Sequence, residues 1–410
     1  MTIKNYIFIF IAFIGVLFLG ACNDLPTNIG YPLDTLYLEA ISSSTLPLVS
    51  STKTYYNRLD GNWPNPIMLV GKAKDVESYS FLRFGTTKID TFQYVQESEI
   101  ISSKLRLYPN RYSFGDSLTT GAADFGLYET IKAMGDSTTF DTIIAKGGIS
   151  AYFNPTELGS FTGKIDLKDT IPPIIIELNS QKIIKKWLDM AKDVTSAEAL
   201  YKNGITLAPR SNSKVINRFA SNFDSSRFEV VFNNSKKGRI DTIYISLQTV
   251  SNYSNTTIDL NDSSMYLQYG VSLRGMLSFD LSMIPKYASV ISSELEITFD
   301  STRSYYANYG TDTTFSAGDF TNIYIKKPIT PYLALRKTGT DKYIFPSITS
   351  AIERWVRKDG KGTIQLIPQR NTSAATEYIY LDRSVFFGQD AKDIDKRPKL
   401  KVIYSRRPKN

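Results

Sequence analysis

Two groups of aromatic and arginine side chains are the residues of this sequence best suited to binding chemistry. The first group lies early in the chain and the second beyond its midpoint: Tyr55, Tyr56, Arg58 and Trp63, then Arg303, Tyr305, Tyr306 and Tyr309. Aromatic faces pack against the C–H groups of sugars, and Arg binds carboxylates in a bidentate manner. Together these residue types predict a site for an acidic glycan. The alternative is that the rings cover sheet edges and cap the core, and the sequence leaves both interpretations open.

Catalytic chemistry is restricted by what the composition lacks. The 410 residues include no His and a single Cys. Nucleophile systems that need imidazole, His-ligated metals, Cys-rich zinc sites and intrachain disulfides are therefore excluded. Asp259 and Asp262 could supply oxygen ligands to calcium, but a solvated loop is the favoured interpretation. We expect no cofactor, no metal site and no enzymatic activity. The 40 Asp and Glu residues leave a carboxylate-dependent polysaccharide-degrading enzyme as the alternative.

The net charge of +8 raises the question of a nucleic-acid partner. Lys and Arg are interspersed with Asp and Glu along the chain and do not form one basic block, apart from a short charged tail at the C-terminus. A nucleic-acid surface requires basic residues clustered on one face. We therefore expect no nucleic-acid partner.

The first 21 residues have the pattern of a signal peptide. Lys4 supplies a positive charge, and residues 7–19 are continuously apolar, which is too short to span a bilayer that needs about 20 residues. The run ends in Leu-Gly-Ala before Cys22, the only cysteine, and this pattern resembles the lipobox of bacterial lipoproteins. The resemblance implies acylation of Cys22 and a membrane partner reached through lipid. Asn23 rather than Asp after the Cys implies the outer membrane, on its periplasmic or its extracellular face.

The remaining chain has the alternating pattern of short β-strands and contains a repeat. Four segments of the first half recur in the same order in the second: 80–84 with 275–279, 101–107 with 291–297, 205–212 with 364–371, and 228–232 with 400–404. Period-2 alternation implies sheets with one buried face. The pattern predicts an all-β protein of two tandem jelly-roll-like β-sandwiches. We expect a lipidated linker at 22–34, a first sandwich at 35–235 and a second at 236–410.

Each half also contains one amphipathic helical segment with a tryptophan on its apolar stripe. In the first half Ile183, Ile184 and Trp187 have helical spacing, and in the second half Ile352 and Trp355 do. A tryptophan on such a stripe is more often a core residue than a sugar platform. We therefore predict that both tryptophans pack against a sheet.

The order of these motifs resembles the DNRLRE-type β-sandwich modules of secreted bacterial and archaeal proteins. The second half is most similar, with Phe279-Asp280-Leu281 and with Arg397-Pro398 before its last strand, whereas the first half has Gly85 where the family prefers Asp. The resemblance implies a jelly-roll fold. It also implies binding of acidic polysaccharides, as in some members, or an association with glycan-degrading enzymes, as in others.

These observations together predict an outer-membrane lipoprotein that is not an enzyme. We expect it to bind extracellular polysaccharide or to act structurally at the cell surface. Two alternatives stay open: the polysaccharide-degrading enzyme, and a protein-binding scaffold or adhesin of the envelope.

Overall fold

The computed structural model describes residues 37–56, 67–84, 95–115, 121–132, 134, 138–165, 172–192, 204–220, 226–260, 264–268, 270–307, 315–319, 331–368 and 380–406. Several sequence predictions lie outside these ranges, namely the signal peptide, the linker, Cys22, Arg58, Trp63, Tyr309 and Asp262.

The prediction of an all-β sandwich fold is confirmed. The strands belong to two hydrogen-bonded sets. The first set, here called the inserted sandwich, consists of β3 (Ile67–Ala73), β4 (Val76–Phe84), β5 (Ile100–Gly115), β6 (Ala123–Thr130), β7 (Phe153–Gly163), β8 (Ile174–Glu177), β9 (Ile205–Pro209), β10 (Val215–Ala220), β11 (Arg227–Asn234) and β12 (Arg239–Thr256). The second set, here called the split sandwich, consists of β1 (Tyr37–Ser42), β2 (Val49–Tyr56), β13 (Ser264–Gln268), β14 (Leu273–Asp280), β15 (Ser289–Thr298), β16 (Phe315–Asp319), β17 (Pro331–Arg336), β18 (Lys342–Phe345), β19 (Lys361–Pro368), β20 (Arg383–Phe387) and β21 (Lys399–Arg406).

Period-2 alternation in the strands produces one apolar core in each sandwich. In β21, for example, Leu400, Val402 and Tyr404 are buried whereas Lys401 between them is exposed. The core of the split sandwich lies between the layer containing β15 and β21 and the layer containing β14 and β19. The core of the inserted sandwich lies in the same way between a layer with β11 and a layer with β4 and β9.

Three α-helices accompany the described strands: α1 (Phe140–Ala145), α2 (Gln181–Lys192) and α3 (Thr349–Lys358). Three short 3-10 helices are Glu97–Glu99, Ile149–Tyr152 and Ile394–Lys396. The core position predicted for both tryptophans is confirmed. Trp187 on α2 is 8% exposed and packs at 5.9 Å from the Phe228 ring, and Trp355 on α3 is 4% exposed and stacks at 5.5 Å on Phe279.

The division of the chain differs from the predicted boundaries at 35–235 and 236–410. Strand β1 pairs with β21, and β2 pairs with β14, so residues 37–56 belong to the split sandwich. Strand β12 pairs with β11 and β4, so residues 239–256 belong to the inserted sandwich. The physical reason lies in residues 235–238, which form a hairpin turn rather than a linker. The amide of Gly238 donates to the Asn234 carbonyl at 2.8 Å, and a short hairpin costs little loop entropy.

The two sandwiches share a third apolar cluster, here called the junction. It combines side chains from both sets: Leu69, Val76, Tyr112 and Ile216 from the inserted sandwich, and Tyr266, Leu273, Leu381 and Val385 from the split sandwich. The Tyr112 hydroxyl accepts a hydrogen bond from the Leu381 amide at 2.7 Å. The junction therefore has a continuous apolar interior and is not a simple surface contact.

An ion pair lies beside this cluster. Arg383 is 2% exposed and donates to the two carboxylate oxygens of Asp75 at 2.9 and 2.7 Å. Burial alone would raise the pKa of Asp75, but hydrogen bonds from Arg383 and Thr256 outweigh it and lower the pKa below 3.8. A lowered carboxyl pKa adds stability above the unfolded-state value, and this stability is lost as the pH falls through the folded-state value. The Asp75–Arg383 pair therefore loses its contribution to the stability of the junction as the pH falls through the lowered pKa of Asp75.

Candidate functional site

A surface groove of about 540 Å³ lies on the split sandwich, between α3 and three neighbouring strands. It is lined by Ser50, Ser278, Phe279, Arg354, Trp355, Lys358, Lys361, Gly362 and Thr363. Its volume is within the range of about 300–1,000 Å³ that is typical of ligand sites. The groove is open to solvent, which suits a segment of a polymer better than an enclosed small molecule.

Strand register brings three hydroxyl groups to this groove. Strand β14 lies between β2 and β19, and Ser278 is directly opposite Thr363 on β19. The pairing of β14 with β2 shifts between Ser278 and Phe279, which leaves Ser50 as the additional residue of a β-bulge. Bulges redirect side chains and are frequent at functional sites. Ser50, Ser278 and Thr363 thus offer hydrogen-bond donors and acceptors from three adjacent strands.

The floor of the groove is a stack of rings held in place by a glycine. The Trp355 indole stacks on the Phe279 ring at 5.5 Å with 22° between the planes. A Cβ atom added to Gly362 would lie 1.8 Å from the Trp355 ring, so only glycine allows β19 to approach it so closely. The indole is fixed between the two strands and forms part of a rigid floor.

Three cationic side chains border the groove. Arg354 and Lys358 are four residues apart on α3, which places them on one face of the helix, and Lys361 begins β19. All three are exposed, and none of the described lining residues is acidic. Asp280 is the strand partner of Lys361. Its pKa is lowered by hydrogen bonds from Ser282 and by the Lys361 charge, so it is ionised at neutral pH and offsets part of that positive charge.

A second groove adjoins the same helix. Its volume is about 360 Å³, and Lys286, Tyr287 and Arg357 contribute to its lining. The Tyr287 side chain is 94% exposed, while Arg357 is paired with Glu353 at 2.5 Å. An exposed ring beside cations is suited to stacking on a sugar. Helix α3 therefore supplies cations to two grooves, which we call together the basic surface.

The described residues of the first predicted group lie at the end of β2 and are half-buried. The Tyr55 hydroxyl accepts a hydrogen bond from the Gln365 side chain. The Tyr56 hydroxyl donates to the Thr256 carbonyl at 3.2 Å, and its ring packs against the junction. Both rings are engaged within the protein.

The described residues of the second predicted group are also engaged. Arg303 pairs with Asp300 at 2.7 Å and donates to the Ser264 hydroxyl. The Tyr305 ring packs against the junction, with the Lys74 ammonium 3.6 Å from its centroid. Tyr306 packs against the Phe299 ring at 6.3 Å, and burial raises its pKa to about 12. The structure thus brings Tyr56 and Tyr305 to one junction. The contacts of the described members of both groups match the alternative that such rings cap a core, and their glycan role stays a prediction.

The basic surface was missed by sequence reasoning, although part of its signal is readable. Arg354 and Lys358 are spaced by one helical turn and lie outside the apolar stripe of Ile352 and Trp355, so a helix over this segment implies a common solvent face for both cations. The hydroxyl row gives no such signal, because Ser50, Ser278 and Thr363 are distant in sequence.

Metal ligands and membrane-spanning helices are absent from the part of the chain that the structure describes. Among those residues, no three His, Cys, Asp or Glu side chains are grouped as a metal site would require. No helix within the same ranges is long and apolar enough to cross a membrane. A scan against protein-family models and a search of curated proteins found no match to this chain.

Proposed function

We propose that this protein is a non-catalytic lipoprotein of the outer membrane that binds an acidic polysaccharide on its basic surface. The observation that carries the proposal is the groove beside α3, where Arg354, Lys358 and Lys361 border a row of hydroxyl groups above a ring-stacked floor. A second groove with the exposed Tyr287 adjoins the same helix.

The chemistry of the basic surface matches that of a carboxylated or sulfated sugar chain. The guanidinium of Arg354 is able to pair with a carboxylate through two hydrogen bonds, and the two lysines supply point charges. The serine and threonine hydroxyls match sugar hydroxyls as donors and acceptors. The ring of Tyr287 offers a flat apolar surface for a pyranose face. The cations are exposed, so dissolved salt screens their charges and should weaken binding.

Charge reversal tests this site. The variant with Arg354→Glu, Lys358→Glu and Lys361→Glu is expected to bind alginate or heparin more than 100-fold more weakly than the unmodified protein. A charge-assisted hydrogen bond contributes about 1.5–3 kcal/mol, so removing one such bond weakens binding by about 10- to 100-fold. Titration calorimetry at low and high salt measures the effect, with dextran as the uncharged glycan.

The matched control carries the same change of net charge on the inserted sandwich. It has Lys146→Glu, Lys182→Glu and Lys237→Glu, all at exposed positions. Equal weakening by the control and the groove variant would mean that only net charge matters and would contradict a local site. Equal binding of dextran and alginate by the unmodified protein would contradict an acidic ligand.

The lipid anchor is tested at Cys22. Replacement Cys22→Ala is expected to release the protein into the soluble fraction, because the only acylation site that the sequence predicts is then removed. Cell fractionation combined with metabolic labelling by a palmitate analogue measures both anchoring and acylation. A Cys22→Ala protein that still requires detergent for extraction would contradict the lipoprotein proposal.

A further inference from the structure

The segments that open the two halves of the chain are alike in sequence. Residues 34–40 read DTLYLEA and residues 241–247 read DTIYISL. Residues 37–40 of the first segment lie in the N-terminal arm, defined here as Tyr37–Tyr56 with strands β1 and β2. The second segment lies in β12. Similar segments in a repeat are expected to occupy equivalent places in its two folded units.

The strands that contain these segments occupy equivalent places, exchanged between the sandwiches, but the similar residues do not share one register. Tyr37 lies opposite Arg406, whereas Tyr244 lies opposite Glu229, the repeat equivalent of Lys401. The N-terminal arm pairs with β21 and β14 of the split sandwich. Strand β12 pairs with β11 and β4 of the inserted sandwich, which are the repeat equivalents of β21 and β14. Each sandwich is therefore closed by the segment that opens the other half of the chain.

The arm supplies part of the core that it closes. Leu48 and Val49 are 0% and 1% exposed and belong to the core of the split sandwich. On β12, Leu247 and Val250 are each 1% exposed and belong to the core of the inserted sandwich. Without the arm, the split sandwich would expose a gap in its core and two unpaired strand edges.

Polar contacts fix the arm in the same place. The Thr54 hydroxyl donates to the Ser264 carbonyl at 3.1 Å and accepts from the Tyr266 amide at 2.9 Å. At the other strand, Glu39 pairs with Arg406 at 2.5 Å. These contacts are specific to one sequence and one register, so the site on the split sandwich selects this arm.

The two closing segments are connected to the rest of the chain in different ways. Strand β12 follows β11 through a four-residue hairpin, residues 235–238, and is fixed to its own sandwich. The arm is joined to the inserted sandwich only through residues 57–66, between β2 and β3. No hairpin therefore fixes the arm to the split sandwich that it closes.

We infer that the N-terminal arm is exchangeable between molecules, and that the split sandwich of one copy accepts the arm of a second copy of this chain. The product is a two-fold symmetric dimer in which every strand contact of the closed monomer is kept. Because the contacts are the same, concentration decides between the two forms. The arm and the sandwich that it closes belong to one chain, which gives the arm an effective concentration on the order of millimolar, so the dimer becomes populated near that value. This inference is independent of the proposed glycan binding.

Disulfide trapping between two differently labelled chains tests the exchange. Leu38 on β1 is directly opposite Ser405 on β21, a spacing that suits a disulfide. In a chain that starts at residue 23, and therefore lacks Cys22, one population carries Leu38→Cys and the other Ser405→Cys. The two are unfolded together, refolded at about 10 µM and about 1 mM, and oxidised. We expect a covalent heterodimer at the higher concentration and about a hundredfold less relative to monomer at the lower.

Two controls make each outcome decisive. A single chain with both substitutions should give a cross-linked monomer, and its failure to do so would contradict the β1–β21 register on which the inference rests. A mixture of Leu38→Cys with Ile144→Cys, an exposed position on the inserted sandwich, measures random cross-linking. A heterodimer yield from the opposed pair that does not exceed this control at 1 mM would overturn the exchange.

Discussion

A fragment of residues 67–256 is expected to unfold cooperatively on its own, whereas a fragment of residues 236–410 is expected not to fold. The first contains every described strand of the inserted sandwich, including β12. The second lacks β1 and β2, and with them the buried Leu48 and Val49. Burial of each such side chain contributes about 1.5–3 kcal/mol to the free energy of unfolding. The fourteen described strand positions of β1 and β2 are removed as well, together with their hydrogen-bonded pairing. A domain has only about 5–15 kcal/mol of net stability, so this loss is expected to prevent folding. Circular dichroism during heating or urea titration distinguishes the two fragments.

A circularly permuted fragment provides the matched control. Tyr37 of β1 is directly opposite Arg406 of β21, just as Arg239 of β12 is opposite Asn234 of β11. The four-residue turn of residues 235–238 connects the latter pair. We therefore expect residues 257–406, joined through that same four-residue turn sequence to residues 37–56, to fold cooperatively. Folding of the 236–410 fragment to the same stability as this permuted fragment would mean that the arm is not part of the split sandwich.

The exchange of closing strands could not be predicted from the sequence, although most of the strands could. Alternation identified segments such as 400–404, and the apolar stripes identified the helices around Trp187 and Trp355. The two closing segments, 34–40 and 241–247, have the same alternating pattern, so alternation alone does not indicate which core each of them closes. The short hairpin from β11 keeps β12 on the inserted sandwich, and the arm pairs with the split sandwich.

For the side chains of the candidate site, too, the sequence predicts local features but not those that depend on long-range pairing. The spacing of Arg354 and Lys358 is a local property of one helix and is readable in advance. The opposition of Ser278 and Thr363 depends on long-range register, and the position of Ser50 depends on a bulge. Of the aromatic residues that the sequence analysis selected, Tyr56 and Tyr305 pack against the apolar cluster of the junction. Aromatic residues in polar segments thus mark a contact surface, but the sequence does not say whether its partner is a ligand or the other sandwich.

Replacement Trp355→Ala is expected to destabilise the split sandwich by about 3–5 kcal/mol, since it removes a buried indole and leaves a cavity beside Phe279 and Gly362. Tyr287→Ala, at a side chain that is 94% exposed, is expected to change the free energy of unfolding by less than about 0.5 kcal/mol. Urea titration of each variant measures these values, and calorimetry with alginate at a temperature where both are folded measures binding.

The contrast between these two variants separates the core of the site from its surface. If the basic surface binds a sugar chain, Tyr287→Ala weakens binding without loss of stability, because its ring contacts only the ligand. Trp355→Ala acts mainly through stability, because its indole lies between β14 and β19 as the floor of the groove. A Trp355→Ala protein of unchanged stability that no longer binds would show that the indole itself contacts the glycan. In that case Gly362 would be required to shape an open aromatic platform rather than to complete a packed core.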